Sequence, residues 1–197
     1  MCGRYRLDID ADPEFQELIS RAEARAERLG VGLKTSGDIF PSDIVPVIAP
    51  DMRHREPGCY PMRWGFPHPS RNLTVINARS ETAQEKAFYA ASTEERRCLI
   101  PASAYYEWRR EEGGKSRYTF RGRSGMLLLA GLYIRTSAEK LPSFSILTRD
   151  ASEEIAFIHK RMPLIISKDR IGEWLSSDIP YQEAIRHAET SVTYEQS

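Results

Sequence analysis

Apolar residues recur at helical spacing over one long stretch. Between residues 12 and 29, Phe15, Leu18, Ile19, Ala22, Ala26 and Leu29 form a stripe, while Glu14, Glu17, Glu23, Arg25, Glu27 and Arg28 cover the rest. Asp12 is a good N-cap, Pro13 suits the first helical position and Gly30 supplies the stop, so the pattern predicts a surface helix over 12–29. From Gly37 onwards the chain reads as short extended segments punctuated by proline: strands at 44–48, 59–66, 73–76, 96–101, 105–110, 118–121, 126–134, 143–148 and 164–166. Pro46 confines the first of these to an edge or an irregular place. Residues 73–76 read as a short buried strand, and 126–130 are apolar enough for a central one. Residues 51–57 and 67–72 read as loops. Gly113-Gly114 closes one hairpin, and Gly122 with Gly125 a second between 118–121 and 126–134.

Shorter helical pieces fill the gaps. Ser80 is read as the cap of a helix to residue 91 with Ala83, Ala87 and Ala90 inward, and Ser152 as the cap of one turn to 157. Residues 169–175 and 181–188 are short amphipathic helices, and 189–197 a loose tail. Within 105–110, alternation sets Tyr106 and Trp108 on one face, assigned to the core, and Tyr105, Glu107 and Arg109 on the other. These elements predict one α+β domain over 1–197: many short, mostly antiparallel strands in a barrel-like mixed sheet core, with peripheral helices.

Composition narrows the function classes. Hydrophobic content of 41% and charged content of 28% are ordinary for a globular chain of 197 residues. Lys plus Arg equals Asp plus Glu at 28 each, so any nucleic-acid binding needs a local basic face instead of a whole-molecule field. No apolar run reaches membrane length and the N-terminus carries Asp8, Asp10 and Asp12, which leads to the expectation of a cytoplasmic protein with no membrane partner. Cys2, Cys59 and Cys98 show neither disulfide arithmetic nor ligand spacing with His54, His68, His159 and His187, so no metal is expected. No phosphate-binding glycine loop is present, and no cofactor is expected.

Met1-Cys2 stands out chemically. Removal of Met1 makes residue 2 an N-terminal cysteine with its amine and thiol on adjacent carbons, able to form a Schiff base with an aldehyde and then close to a thiazolidine. Asn77, Glu107 and His159 are each, alone, readable as turn, ion-paired and core residues.

Taken together and in order, Met1-Cys2-Gly3-Arg4-Tyr5, Trp64-Gly65-Phe66, Ile76-Asn77-Ala78-Arg79-Ser80-Glu81-Thr82, Arg97-Cys98-Leu99-Ile100-Pro101-Ala102 with Tyr106-Glu107-Trp108, and Ile158-His159-Lys160-Arg161-Met162-Pro163 resemble the SOS response-associated peptidase (SRAP) family. The resemblance implies shielding of abasic sites in single-stranded DNA. Cys2, exposed by self-processing or an aminopeptidase, would trap the open-chain sugar aldehyde as a thiazolidine crosslink. It implies that His159 serves sugar ring opening, that Glu107 holds the Cys2 ammonium and moves protons, and that Asn77 positions Cys2. Arg4, Arg79 and Arg161 would hold phosphates, with Thr148, Pro41, Trp64 and Phe66 as further DNA contacts. A monomer, nucleoid-associated when bound to DNA, is the implied working form.

The sequence departs from the family pattern in places. Ser103-Ala104 replaces a usual Asp-Gly, Asp38 replaces an asparagine in Asp38-Ile39-Phe40-Pro41, and the loop after Phe66 offers only Phe66, Pro67 and His68 beside the lesion. The chain is also short at its C-terminus. An N-terminal-nucleophile amidohydrolase using Cys2, or a non-covalent single-stranded DNA-binding module, are the alternative readings.

Overall fold

A computed structural model describes residues 2–8, 13–51, 56–68, 70, 72–123, 125–137, 139–189 and 191–197, apart from the Glu14 side chain. In chain order the elements are β1 (Tyr5–Asp8), α1 (Pro13–Leu29), β2 (Ser36–Ile39), β3 (Ile44–Pro50), β4 (Pro57–Trp64), β5 (Phe66–Pro67), β6 (Thr74–Val75), β7 (Asn77–Arg79), α2 (Ala87–Glu95), β8 (Arg97–Ala102), β9 (Ala104–Glu111), β10 (Gly114–Gly122), β11 (Leu127–Ile134), β12 (Ser143–Asp150), β13 (Arg161–Pro163), α3 (Ile171–Leu175), α4 (Tyr181–Ala184) and β14 (Val192–Gln196). The fold is α+β with mostly antiparallel strands, as the patterning predicts. No helix of the described residues is long and apolar enough to cross a membrane.

Two large sheets, a two-stranded β5-β6 ribbon and a helical layer build the domain. One sheet runs β14-β10-β9-β1-β2. The larger runs β11-β8-β3-β4-β12-β13, with β7 beside β12, and closes on itself because β11 also pairs with β12. That closure is the barrel-like feature. Its inner face packs Val45, Val47, Trp64, Ile100, Leu129, Phe144 and Ile146 against Tyr5, Leu7, Tyr105 and Phe120 of the smaller sheet. Its outer face packs Ile48, Leu99, Leu128, Ala130 and Leu147 against Phe15, Ile19 and Ala22 of α1 and against Trp174 and Tyr181. Helix α1 ends as expected: Gly30 takes φ 65°, and Val31 N–H returns to the Ala26 carbonyl at 3.1 Å.

Several sequence expectations are corrected. Strand β3 is internal, paired with β4 on one side and β8 on the other. Pro46 faces Pro61 and Pro50 faces Pro57, so the residues that cannot donate occupy one phase of the ladder and the bonded pairs fall on Val45, Val47 and Ala49. The 118–121 and 126–134 segments are not a hairpin. Strand β10 pairs with β9 and β14, whereas β11 pairs with β8 and β12, and a Gly122–Gly125 bridge is their junction. The loose tail is instead β14, zipped to β10 from Val192–Gly122 to Gln196–Tyr118.

Residues 73–76 are not buried: Leu73 is 45% exposed, and only β6 forms, against β5. The intervening Gly65, at φ 114°, ends β4 where any Cβ would collide with Thr74. Ser80 does not cap a helix. Its N–H bonds the Thr148 carbonyl at 2.8 Å, the helix starts at Ala87, and Tyr89, not Ala87, turns inward. Residues 153–158 form the expected single turn, with the Ala156 N–H on the Ser152 carbonyl at 3.0 Å, but the Ser152 hydroxyl does not cap it, and the strand beyond is β13 instead of 164–166. Asp12, residues 52–55, Pro69 and Arg71 lie outside the described residues.

Candidate functional site

Strand β1 drives the N-terminus into the protein. Tyr5 and Leu7 alternate into the core, fully buried, while β1 is held between β2 and β9 with Tyr5 opposite both Ile39 and Tyr105. Three residues upstream, Cys2 is 1% exposed. Its carbonyl accepts a hydrogen bond from Asn77 Nδ2 at 2.9 Å, and its thiol points at the Arg4 carbonyl at 3.7 Å. Asn77 is fixed because β7 runs parallel to β12, and the Ile76 carbonyl before it accepts from Ile146 N–H and from the Trp64 indole, both at 3.0 Å.

The β9 face assignment reverses. Tyr105 is fully buried and stacks on Phe120 at 4.6 Å, so Glu107, two residues on, points to the same inner side and is 4% exposed. Tyr106 and Trp108 take the other face. Both faces of this strand are aromatic, so alternation alone could not tell which one the core would claim. Glu107 Oε1 lies 3.9 Å from His159 Nδ1, and that nitrogen is 3.0 Å from the Arg161 N–H. Burial raises the Glu107 carboxyl above its ordinary range, against the pull of His159. Burial, aided by the charge of Glu107, pushes the Cys2 thiol far up, so the resting thiol is neutral.

The predicted set thus divides. Cys2, Asn77, Glu107 and His159 converge from four separate segments. Arg4 lies beside them, its guanidinium over Phe40 at 4.7 Å and over Trp108 at 5.2 Å, with no carboxylate partner among the described residues. Arg79 is exposed and likewise unpaired among them, and Pro41 is half-buried next to Phe40. The other expected DNA contacts sit inside the fold. Trp64 and Phe66 are fully buried, the first between Tyr5 and Phe144 and the second against Phe88 and Tyr89. Thr148 is fully buried, its hydroxyl on the Ala78 carbonyl at 3.3 Å.

Arg161 is engaged as well. Both terminal nitrogens contact Glu81 at 2.8 Å, and the group also reaches Asp150 and the Thr148 carbonyl at 2.6 Å. It clamps β13 to the turn after β7 and so holds His159 in place.

Sequence reasoning missed the side chains that frame Arg4. Phe40, 41% exposed, and Trp108 were in quoted motifs, but their role depends on β2 and β9 being brought together by β1. The departures at Asp38 and Ser103 find partners other than Cys2. Asp38 accepts from the Tyr106 hydroxyl at 3.0 Å on the outer face, and Ser103 makes the corner where the chain passes from β8 to β9, donating its N–H to the Arg6 carbonyl at 2.8 Å. Beside His159 opens a cleft of about 380 Å³ bordered by Trp108, Arg109, Arg110 and Lys160.

The profile of the SOS response associated peptidase (SRAP) family matches residues 1–196. The chain belongs to the SRAP family. Similar SRAP relatives include the abasic site processing protein YoaM of Bacillus subtilis, 30% identical over 192 residues with 89% of this chain and 79% of YoaM covered. The abasic site processing protein HMCES of Xenopus tropicalis is 30% identical over 168 residues, covering 68% of this chain and 50% of that protein. The SRAP fold recurs in a Bacteroides thetaiotaomicron protein with a TM-score of 0.78 at 19% identity, covering 99% of this chain and 91% of that one. A phage-related protein of Bordetella bronchiseptica gives 0.77 at 21%, covering 100% and 94%.

Proposed function

We propose that this SRAP chain captures abasic sites in single-stranded DNA covalently, through Cys2 once Met1 has been removed by the chain itself or by an aminopeptidase. The observation that carries the reading is the convergence of Asn77, Glu107 and His159 on the residue that then becomes the N-terminus. The relatives named abasic site processing proteins supply the substrate class.

The chemistry follows from the positions. An abasic deoxyribose is mostly a closed hemiacetal. His159 donates a proton to the ring oxygen as the C1′–O bond breaks, and the C1′ hydroxyl gives its proton to solvent water to leave an aldehyde. The Cys2 amine adds to that aldehyde carbon. Glu107, with a carboxyl pKa raised by burial, is suited to pass a proton to the departing hydroxyl, which leaves as water and gives the Schiff base. The neutral Cys2 thiol then adds to the imine carbon. A C–S bond forms, the thiol proton ends on nitrogen, and a thiazolidine results.

Reversal runs the same steps backwards, with Glu107 as the proton carrier. Asn77 fixes the Cys2 carbonyl so that amine and thiol face the same carbon. Arg4 and Arg79 are the phosphate contacts that remain available, which gives the local basic face that zero net charge demands.

The test uses mature protein, its N-terminal cysteine verified by intact mass, and single-stranded DNA bearing one abasic site. A heat-stable adduct is expected with the wild type and none with Cys2→Ala. Cys2→Ser should leave a borohydride-trappable Schiff base without a stable ring. Capture by Cys2→Ala at the wild-type rate sinks the reading.

A further inference from the structure

Strand β14 creates a surface that the capture chemistry does not use. Pairing β14 with β10 sets Tyr194 opposite Phe120. Tyr194 then meets Phe157 with ring centroids 5.9 Å apart, and Phe157 in turn meets Tyr118 edge-on at 6.3 Å. Phe157 and Tyr194 remain 48% and 44% exposed, whereas Tyr118 and Phe120 beneath them are 6% and 1% exposed. The Arg109 guanidinium lies over Phe157 at 5.3 Å.

The position of this ledge is set by β9. Tyr105, Glu107 and Arg109 follow one another on the same side of the strand, so the series runs from core to catalytic carboxyl to ledge. The last step covers two residues, about 7 Å at the usual strand rise. Phe157 is also two residues before His159. Phe157 therefore lines the cleft that opens beside His159, and Tyr194 extends the ledge from it through their ring contact.

We propose that Phe157 and Tyr194 form a base-stacking platform for single-stranded DNA, holding a nucleotide that flanks the one seated at His159. The placement of that seat rests on the capture reading above. Two aromatic faces half open to water, with a guanidinium across one of them, match the combination by which single strands are held: ring faces for bases and cations for the backbone. Charge complementarity selects a polyanion. Arg110 and Lys160 border the same cleft, are exposed and have no carboxylate partner among the described residues. Arg109 itself has Glu111 at 3.8 Å, an exposed pair, and Glu195 is held by Arg121 at 2.5 Å. A single strand fits better than a duplex, because paired bases offer no free face to a surface ring.

The competing account is that the two rings merely cover the open edge of the core above Tyr118 and Phe120. The experiment separates the two accounts through the shape of the replacement. Leucine keeps an apolar cover but has no ring face. The double variant Phe157→Leu/Tyr194→Leu is compared with wild type for non-covalent binding of an undamaged oligothymidylate and of a duplex of equal length, by fluorescence anisotropy. The melting temperature is measured in parallel.

Binding of the single strand is expected to weaken about 5- to 150-fold, the worth of losing one stacked base. Duplex binding and melting temperature should be unchanged. The ring-keeping variants Phe157→Tyr and Tyr194→Phe should bind as wild type does. Single-strand affinity within twofold of wild type for the leucine variant, or an equal loss for duplex, overturns the platform. Undamaged DNA requires no reaction at Cys2, so a failure of capture chemistry registers in the crosslinking assay and leaves this measurement standing on its own.

Discussion

Replacing Asn77 by alanine removes the side-chain tether from Nδ2 to the Cys2 carbonyl, 2.9 Å long and partly buried. Such a bond contributes about 0.5–1.5 kcal/mol net, and leaving a buried carbonyl without its donor costs about 1–3 kcal/mol. The second figure governs here, since Cys2 is 1% exposed and water has little access to its carbonyl. If the loss falls on the placement of Cys2, the fraction of molecules holding amine and thiol at the sugar carbon drops about 5- to 150-fold. The single-turnover capture rate should drop with it. The melting temperature should fall too, by about 2–4 °C for each kcal/mol at this chain length.

Asn77→Asp sharpens the test. It keeps the shape but sets an ionised oxygen against the carbonyl oxygen, so near neutral pH it should be slower than Asn77→Ala. It should recover partially as pH falls towards about 4, where the aspartic acid regains a proton to donate. Mature termini are verified by intact mass for every variant. A capture rate for Asn77→Ala within twofold of wild type, or an aspartate variant as fast as the alanine one across the pH range, would refute the positioning argument.

Other outcomes follow from the same site. Glu107→Gln should slow capture by about 10²- to 10⁴-fold and yet stabilise the fold. The buried carboxyl holds its proton above the ordinary value of 4.5, so the wild type loses stability as pH rises from there to the raised value. The melting-temperature advantage of the glutamine variant should therefore open above about pH 4.5 and close below it; an advantage independent of pH would contradict the assignment. Arg161→Ala should lower unfolding stability in denaturant titrations by about 1–3 kcal/mol through its lost charged hydrogen bonds, and Arg161→Lys should not restore it, because one ammonium cannot replace the fork across Glu81 and Asp150. Unchanged stability with weaker DNA binding would instead return Arg161 to the role of a phosphate contact. Arg4→Ala should flatten the dependence of log affinity for single strands on log salt by about 0.7, measured by anisotropy at several salt concentrations, and an unchanged slope would remove Arg4 from the backbone contacts.

Much of the fold is legible wherever one physical signal dominates. Helix α1 combines a single apolar stripe with Pro13 and Gly30, and it forms over the expected residues. Strands β8, β9, β11 and β12 also form close to where apolar runs place them. Misreadings occur where two signals are equivalent. Tyr105 and Tyr106 are alike in a pattern, but only Tyr105 has Phe120 and Tyr5 across from it. Val192-Thr193-Tyr194 is too short to declare itself a strand without β10 as its template. Pro46 argues against an internal strand until Pro61 is found opposite, where neither N–H is needed.

The sequence by itself determined the chemical inventory: a cysteine that can become an N-terminus, and Asn77, Glu107 and His159 in segments whose order marks the family. Only the tertiary structure decided which of the marked residues face the site. Side-chain type is local, whereas burial and pairing depend on which strands become neighbours. Trp64, Phe66 and Thr148 therefore became core, Arg161 became a clamp between Glu81 and Asp150, and Arg4 stayed available between Phe40 and Trp108. Register did the rest. By pairing Tyr5 with Tyr105 it carried Cys2 inward to the side of the sheet on which Glu107 is buried.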